Sequence, residues 1–160
     1  FAHQKFGLSP DIVTMAKAVA GGVPMGAMLA KNHVAAAFQP GDHASTFGGN
    51  PLAAHAGCVV ADIIFDEAFL KDVQEKGEYF AEQLAQFVDG EKVLEVRGRG
   101  LMLGLAMADG TDMGALTQAA CDEGALICTA GKNVLRFVPP LVISKVEIDQ
   151  VIEILKKVLK

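Results

Sequence analysis

The chain has 160 residues, of which 51% are hydrophobic, and a formal net charge of −5. That length and apolar content suffice for a buried core, and the acidic balance excludes nucleic acid as a partner, which needs a basic face. The apolar stretch around Gly57 to Phe65 is broken by Asp62 and is too short to span a bilayer, so a soluble protein is expected.

In chain order, Asp11 to Met15 reads as a strand end and Ala27 to Ala30 as a second short strand. Asn50 as N-cap and Pro51 at the first helical position open a helix over Leu52 to Phe65. Its alanines and Gly57 suit close packing, and a buried helix is expected there. A new pattern begins at Asp66-Glu67. Phe69, Leu70, Val73, Phe80, Leu84 and Phe87 recur at helical spacing among charges, giving an amphipathic helix to about Val88, ended by Asp89-Gly90.

Strands are expected at Val93 to Val96 and Leu101 to Met107, around Arg97-Gly98-Arg99-Gly100. A helix over Asp112 to Glu123 closes at Gly124, and further strands follow at Leu126 to Cys128 and Val134 to Val138. Ser144 and Glu147 form a capping box before Ile148, Val151, Ile152, Leu155 and Val158. The alternation is that of an α/β protein, with a domain boundary expected after residue 66.

Gly98, Gly100 and Gly104 mimic a dinucleotide loop but run into a strand instead of opening a helix, so that function is excluded. His3, His33, His43 and His55 have no i, i+4 pairing or neighbouring cysteine, and no metal is expected. Cys58, Cys121 and Cys128 lack a C-x-x-C pair and are expected to be reduced, small buried hydrophobes in a cytosolic protein.

Three segments carry candidate chemistry. Lys17 is a lone cation in Thr14-Met15-Ala16-Lys17-Ala18-Val19-Ala20, followed by Gly21-Gly22. Burial among such neighbours would favour the neutral amine, a nucleophile or Schiff-base former, although a snorkelling structural lysine fits the same pattern. In His43-Ala44-Ser45-Thr46-Phe47-Gly48-Gly49-Asn50-Pro51, hydroxyls and paired glycines precede a helix start that can hold a phosphate, or form an ordinary capped turn. Arg136, in Leu135-Arg136-Phe137-Val138-Pro139-Pro140, is one candidate carboxylate clamp; a structural ion pair is its alternative.

Asp11 to Met28, Gly41 to Leu52 and Val134 to Leu141 together resemble the class III aminotransferases of the ornithine and acetylornithine type, along the whole chain. The resemblance implies the C-terminal part of a fold type I enzyme that uses pyridoxal 5′-phosphate. Residues 1–66 would end the large cofactor domain, and 67–160 would form most of the small C-terminal domain. The start at Phe1-Ala2-His3-Gln4, with neither an initiator methionine nor a signal peptide, is expected to be internal to a longer chain.

The resemblance also implies roles. Lys17 is the Schiff-base and proton-transferring lysine, Thr46 binds the cofactor phosphate across a homodimer interface, Ser45 touches substrate, and Arg136 clamps a substrate carboxylate. Arg97 and Arg99 are expected to be structural. The implied reaction moves the terminal amino group of N-acetylornithine to 2-oxoglutarate in the cytoplasm. Ornithine, succinyl-diaminopimelate or 4-aminobutyrate as donor, or a non-catalytic folding and dimerisation unit for the isolated chain, stand as alternatives.

Overall fold

The structure is a computed structural model that describes residues 1–160. The chain divides into two compact units, Phe1–Glu67 and Ala68–Lys160, one residue beyond the expected boundary.

The first unit is sparse. A one-turn helix α1 (Ala2–Lys5) leads to strand β1 (Ile12–Met15), a 3₁₀ turn (Lys17–Ala20), strand β2 (Ala27–Ala30), a second one-turn helix α2 (Asn32–Ala35) and helix α3 (Pro51–Ile64). β1 and β2 pair antiparallel, with Ile12 opposite Ala30 and Met15 opposite Ala27. The expected cap of α3 is present: the Asn50 side chain accepts the Ala53 N–H at 2.9 Å, and Pro51 opens the helix.

The 3₁₀ turn and Gly21 after it are seated on α3. A Cβ at Gly21 would lie 3.1 Å from Val60 Cγ2, and one at Gly57 would lie 3.1 Å from Met25 Sδ. Gly57 of α3 therefore serves close approach, as its size suggests. The expectation that α3 is buried is overturned, however, because Ala53 is its only buried residue while Leu52, Val59 and Ile63 are exposed. The reason lies in the supply of neighbours: Ala20 and Ala53 are the only buried residues among 1–67, so this unit holds no core of its own. An alanine-rich helix permits burial without providing what covers it.

The second unit is built around a closed core. Helix α4 (Glu67–Ala85) is followed by an antiparallel hairpin β3 (Val93–Arg99) and β4 (Met102–Met107), helix α5 (Met113–Asp122), a second hairpin β5 (Cys128–Ala130) and β6 (Val134–Phe137), and helix α6 (Lys145–Val158). The four strands form one antiparallel sheet in the order β3-β4-β6-β5. Leu103, Leu105, Leu135 and Phe137 pack with Phe80 and Leu84 of α4 and Ile148, Ile152 and Leu155 of α6. The Phe80 and Phe137 rings meet edge-to-face at 5.3 Å, a favoured aromatic geometry.

Where the sequence suggested a dinucleotide loop, the glycines instead allow backbones to touch. Gly98 has φ of +121°, and a Cβ there would lie 2.1 Å from the Met102 carbonyl oxygen. The strand expected at Leu126 to Cys128 begins only at Cys128, and Leu126 is 92% exposed. Its apolar residues suggested a strand two residues too early, since the ladder is set by the partner β6 rather than by local composition. The cysteines are free, as expected of thiols, but Cys58 and Cys121 are exposed and Cys128 is half-buried, which overturns their assignment to the core.

Two carboxylates act as caps of this unit. Asp89 accepts the N–H groups of Val93, Glu91 and Lys92 at 2.9, 2.9 and 2.8 Å, and these bonds, led by Val93, hold its pKa below the ordinary 3.8. Glu147 completes the predicted capping box, accepting from the Ser144 N–H and hydroxyl at 2.7 Å each, and is held below its ordinary 4.5. Because both folded values lie below the unfolded ones, their stabilisation is fully present above about pH 4.5 and fades as pH falls through the depressed values. Thermal melts should therefore lose midpoint temperature below that pH. Asp89→Asn should have a shallower acid slope than the parent chain; an unchanged slope would refute the assignment.

Candidate active site

Lys17 stands at the start of the 3₁₀ turn with φ of +60°, the only non-glycine residue of the chain at positive φ. A side chain in this left-handed region crowds the carbonyl that follows it, at a cost of about 1–2 kcal/mol. Such strain persists where surrounding structure imposes it and clusters at functional positions. Ala16 before it is extended, and the turn closes at Gly21, itself at φ +62°. Its amine forms no hydrogen bond or ion pair within the chain.

The expectation that Lys17 is buried is corrected, since it is exposed along with Ala16 and Ala18. Small apolar neighbours imply desolvation only when something covers them, and the first unit has no core to do so. What distinguishes the residue is its backbone and its unpartnered amine.

The Ser45 to Asn50 loop is held by local bonds. Gly48 N–H donates to the Ser45 carbonyl at 3.3 Å, and a Cβ at Gly48 would lie 2.9 Å from Ser45 Cβ, so this turn requires glycine. The Asn50 amide donates to the Phe47 carbonyl at 2.9 Å. At the start of α3, Asn50 takes the Ala53 and Ala54 N–H groups through its side chain and its carbonyl, and Pro51 has none. The helix start is thus mostly satisfied internally, which narrows the expected anion site to the hydroxyls of Ser45 and Thr46. Both residues are exposed, and neither hydroxyl is bonded within the chain.

In the second unit, Arg136 lies on β6 opposite Gly104 of β4 and Cys128 of β5. Side chains alternate across a strand, so Arg136 points away from the face that carries Leu135 and Phe137. Its Nε–H donates to Cys128 Sγ at 3.4 Å. No carboxylate pairs with it, whereas Arg97 is ion-paired with Glu95. The structural ion pair that was the alternative for Arg136 is absent, and its terminal nitrogens are unpartnered. Arg136 and Cys128 border a cavity of about 310 Å³ with Ile127, Val138 and Pro139 among its walls.

Lys17, Ser45, Thr46 and Arg136 stand out in the sequence as candidates, whereas the contact of Cys128 with Arg136 does not. The signal was available: a three-residue loop, Gly131 to Asn133, centres the hairpin on Lys132 and places residues 128 and 136 opposite one another.

The Aminotransferase class-III family profile matches residues 1–159. The chain belongs to the class III aminotransferases. Acetylornithine aminotransferase of Aquifex aeolicus is 49% identical to it over 160 residues, 99% of this chain and 40% of that protein. The crystal structure of acetylornithine aminotransferase from Elizabethkingia anophelis superposes with a TM-score of 0.88 at 31% identity, covering 99% of this chain and 43% of that one. Ornithine aminotransferase from Toxoplasma gondii ME49 gives a TM-score of 0.91 at 29% identity, with coverage of 99% and 39%. This class III aminotransferase chain thus spans about 40% of the length of the curated relatives it matches. No helix in it is long and apolar enough to cross a membrane.

Proposed function

We propose that this chain is the C-terminal part of a cytoplasmic, homodimeric N-acetylornithine aminotransferase that passes the terminal amino group to 2-oxoglutarate with pyridoxal 5′-phosphate. The observation that carries this reading is Lys17, a primary amine with no partner, displayed from strained backbone between two alanines. The names of the relatives at 46–49% identity support N-acetylornithine as the donor. Residues 1–66 are assigned to the large cofactor domain and 67–160 to the small domain.

The donor set fits the cofactor. An uncompeted amine suits its aldehyde, and an unbonded Thr46 hydroxyl suits a phosphate oxygen, in a site shared between subunits. Bound there, pyridoxal phosphate supplies an electron sink for the pair left when the C–H bond beside the amino nitrogen breaks. Lys17 Nζ would take that proton and return it to the substrate–cofactor skeleton, the work of a general base and then a general acid. Ser45 touches the substrate. The Arg136 fork binds a substrate carboxylate through paired hydrogen bonds, a geometry that lysine fills poorly.

The test is a turnover panel of the full-length protein with 2-oxoglutarate and N-acetylornithine, ornithine, succinyl-diaminopimelate or 4-aminobutyrate. The highest kcat/KM is expected with N-acetylornithine, and a higher value with another donor would replace it in this reading. The isolated 160 residues should show little or no turnover, in keeping with a first unit in which Ala20 and Ala53 alone are buried.

A further inference from the structure

The structure assigns Cys128 as the positioning residue of Arg136: its sulfur holds Nε and leaves the two terminal nitrogens to meet a carboxylate end-on. This rests on the proposal above that Arg136 clamps a substrate carboxylate. An arginine can grip a carboxylate side-on, through Nε and one terminal nitrogen, or end-on through both terminal nitrogens. The side-on mode needs a vacant Nε–H, and that hydrogen is directed at Cys128 Sγ, 3.4 Å away. The thiol is itself oriented, lying 3.6 Å from the Arg136 carbonyl oxygen as a donor, so sulfur and guanidinium hold one another across a single rung of the β5-β6 ladder.

The rung is defined on both sides. Gly104, opposite Arg136 on β4, offers no side chain to compete for the guanidinium, and a Cβ there would lie 2.6 Å from Val134 Cγ1. No carboxylate in the chain pairs with Arg136. Cys128 is therefore its one polar side-chain anchor. Without it, the long side chain regains rotamer freedom that carboxylate binding must remove again.

The experiment compares Cys128→Ala, Cys128→Ser and Arg136→Ala in the full-length aminotransferase, reading KM for 2-oxoglutarate separately from kcat. Cys128→Ala removes the acceptor and should raise KM roughly three- to tenfold, the effect of one hydrogen bond, with kcat changed less than twofold. Cys128→Ser keeps an acceptor and should restore KM to within about twofold of the parent. Should the alanine variant fail to fold, Cys128→Val, which suits an edge strand and cannot accept a hydrogen bond, gives the same comparison.

An unchanged KM in Cys128→Ala or Cys128→Val, alongside a raised KM in Arg136→Ala, overturns the positioning role and leaves the clamp standing. A serine variant as impaired as the alanine variant overturns it too, because volume rather than the hydrogen bond would then matter. An unchanged KM in Arg136→Ala removes the clamp itself and the inference with it.

Discussion

Lys17→Gly is expected to make the cofactor-free protein more stable than Lys17→Ala while both variants lose transamination. At an ordinary surface position the order of stability is the reverse, because glycine gives up more backbone freedom on folding, worth roughly 0.5–1 kcal/mol. At Lys17 the φ of +60° changes the balance. Alanine retains a Cβ and hence the left-handed penalty of about 1–2 kcal/mol, which glycine escapes. The larger effect wins, and glycine should lead by about 0.5–1 kcal/mol, seen as a midpoint a few degrees higher in thermal melts.

Activity should fall at least ~10³-fold in both variants, since proton transfer by a positioned group alone contributes ~10²–10⁴. Borohydride treatment of the cofactor-loaded parent protein should leave the pyridoxyl label on Lys17. Label at another residue would end the assignment of Lys17, whatever the melts show. Alanine proving the more stable would instead end the account of strain.

The largest stability loss in the second unit is expected from Gly77→Ala. Helix propensity points the other way, because alanine at an interior position of α4 is favoured over glycine by about 1 kcal/mol. Packing opposes it with more force. A Cβ at Gly77 would lie 2.6 Å from both the carbonyl carbon and the oxygen of Gly100, and 2.7 Å from its Cα. These are backbone atoms of the turn between β3 and β4, where Gly100 sits at φ +56°. No side chain can swing aside, so helix and hairpin must move apart.

Overpacking of this kind costs about 1–3 kcal/mol and more where backbone must shift. A net loss of about 2 kcal/mol is expected after the gain in propensity. The protein has one tyrosine, Tyr79, and no tryptophan, so its fluorescence reports from α4 itself during urea unfolding. A Gly77→Ala midpoint equal to or above that of the parent would show that α4 and the hairpin do not touch as described.

The features that were legible in the sequence are those decided by a few neighbouring residues. Asn50-Pro51 and Ser144 with Glu147 mark helix starts because a cap is satisfied within three residues, and both caps form. The amphipathic spacing from Phe69 to Phe87 marks α4 because one stripe of it meets the sheet. What escaped depends on distant partners. The start of β5 is set by β6, and the exposure of α3 by what is absent around it. The backbone of Lys17 is set by the turn that surrounds it, and no propensity of lysine foretells a left-handed conformation.

Arg136 shows both sides of this. Its residue type and context mark a candidate clamp, yet only the hairpin register reveals which atom steadies it. Once the three-residue loop is recognised, the opposing pair at 128 and 136 follows from counting alone.

The uneven distribution of core between the two units bears on how each would behave if expressed alone. Residues 1–67 bury only two alanines, while residues 68–160 carry Phe80, Leu105, Ile148 and their neighbours and can collapse without help. The first unit by itself leaves Phe6, Phe38, Phe47 and Leu52 open to solvent, the kind of surface that chaperones engage and that aggregates when they do not.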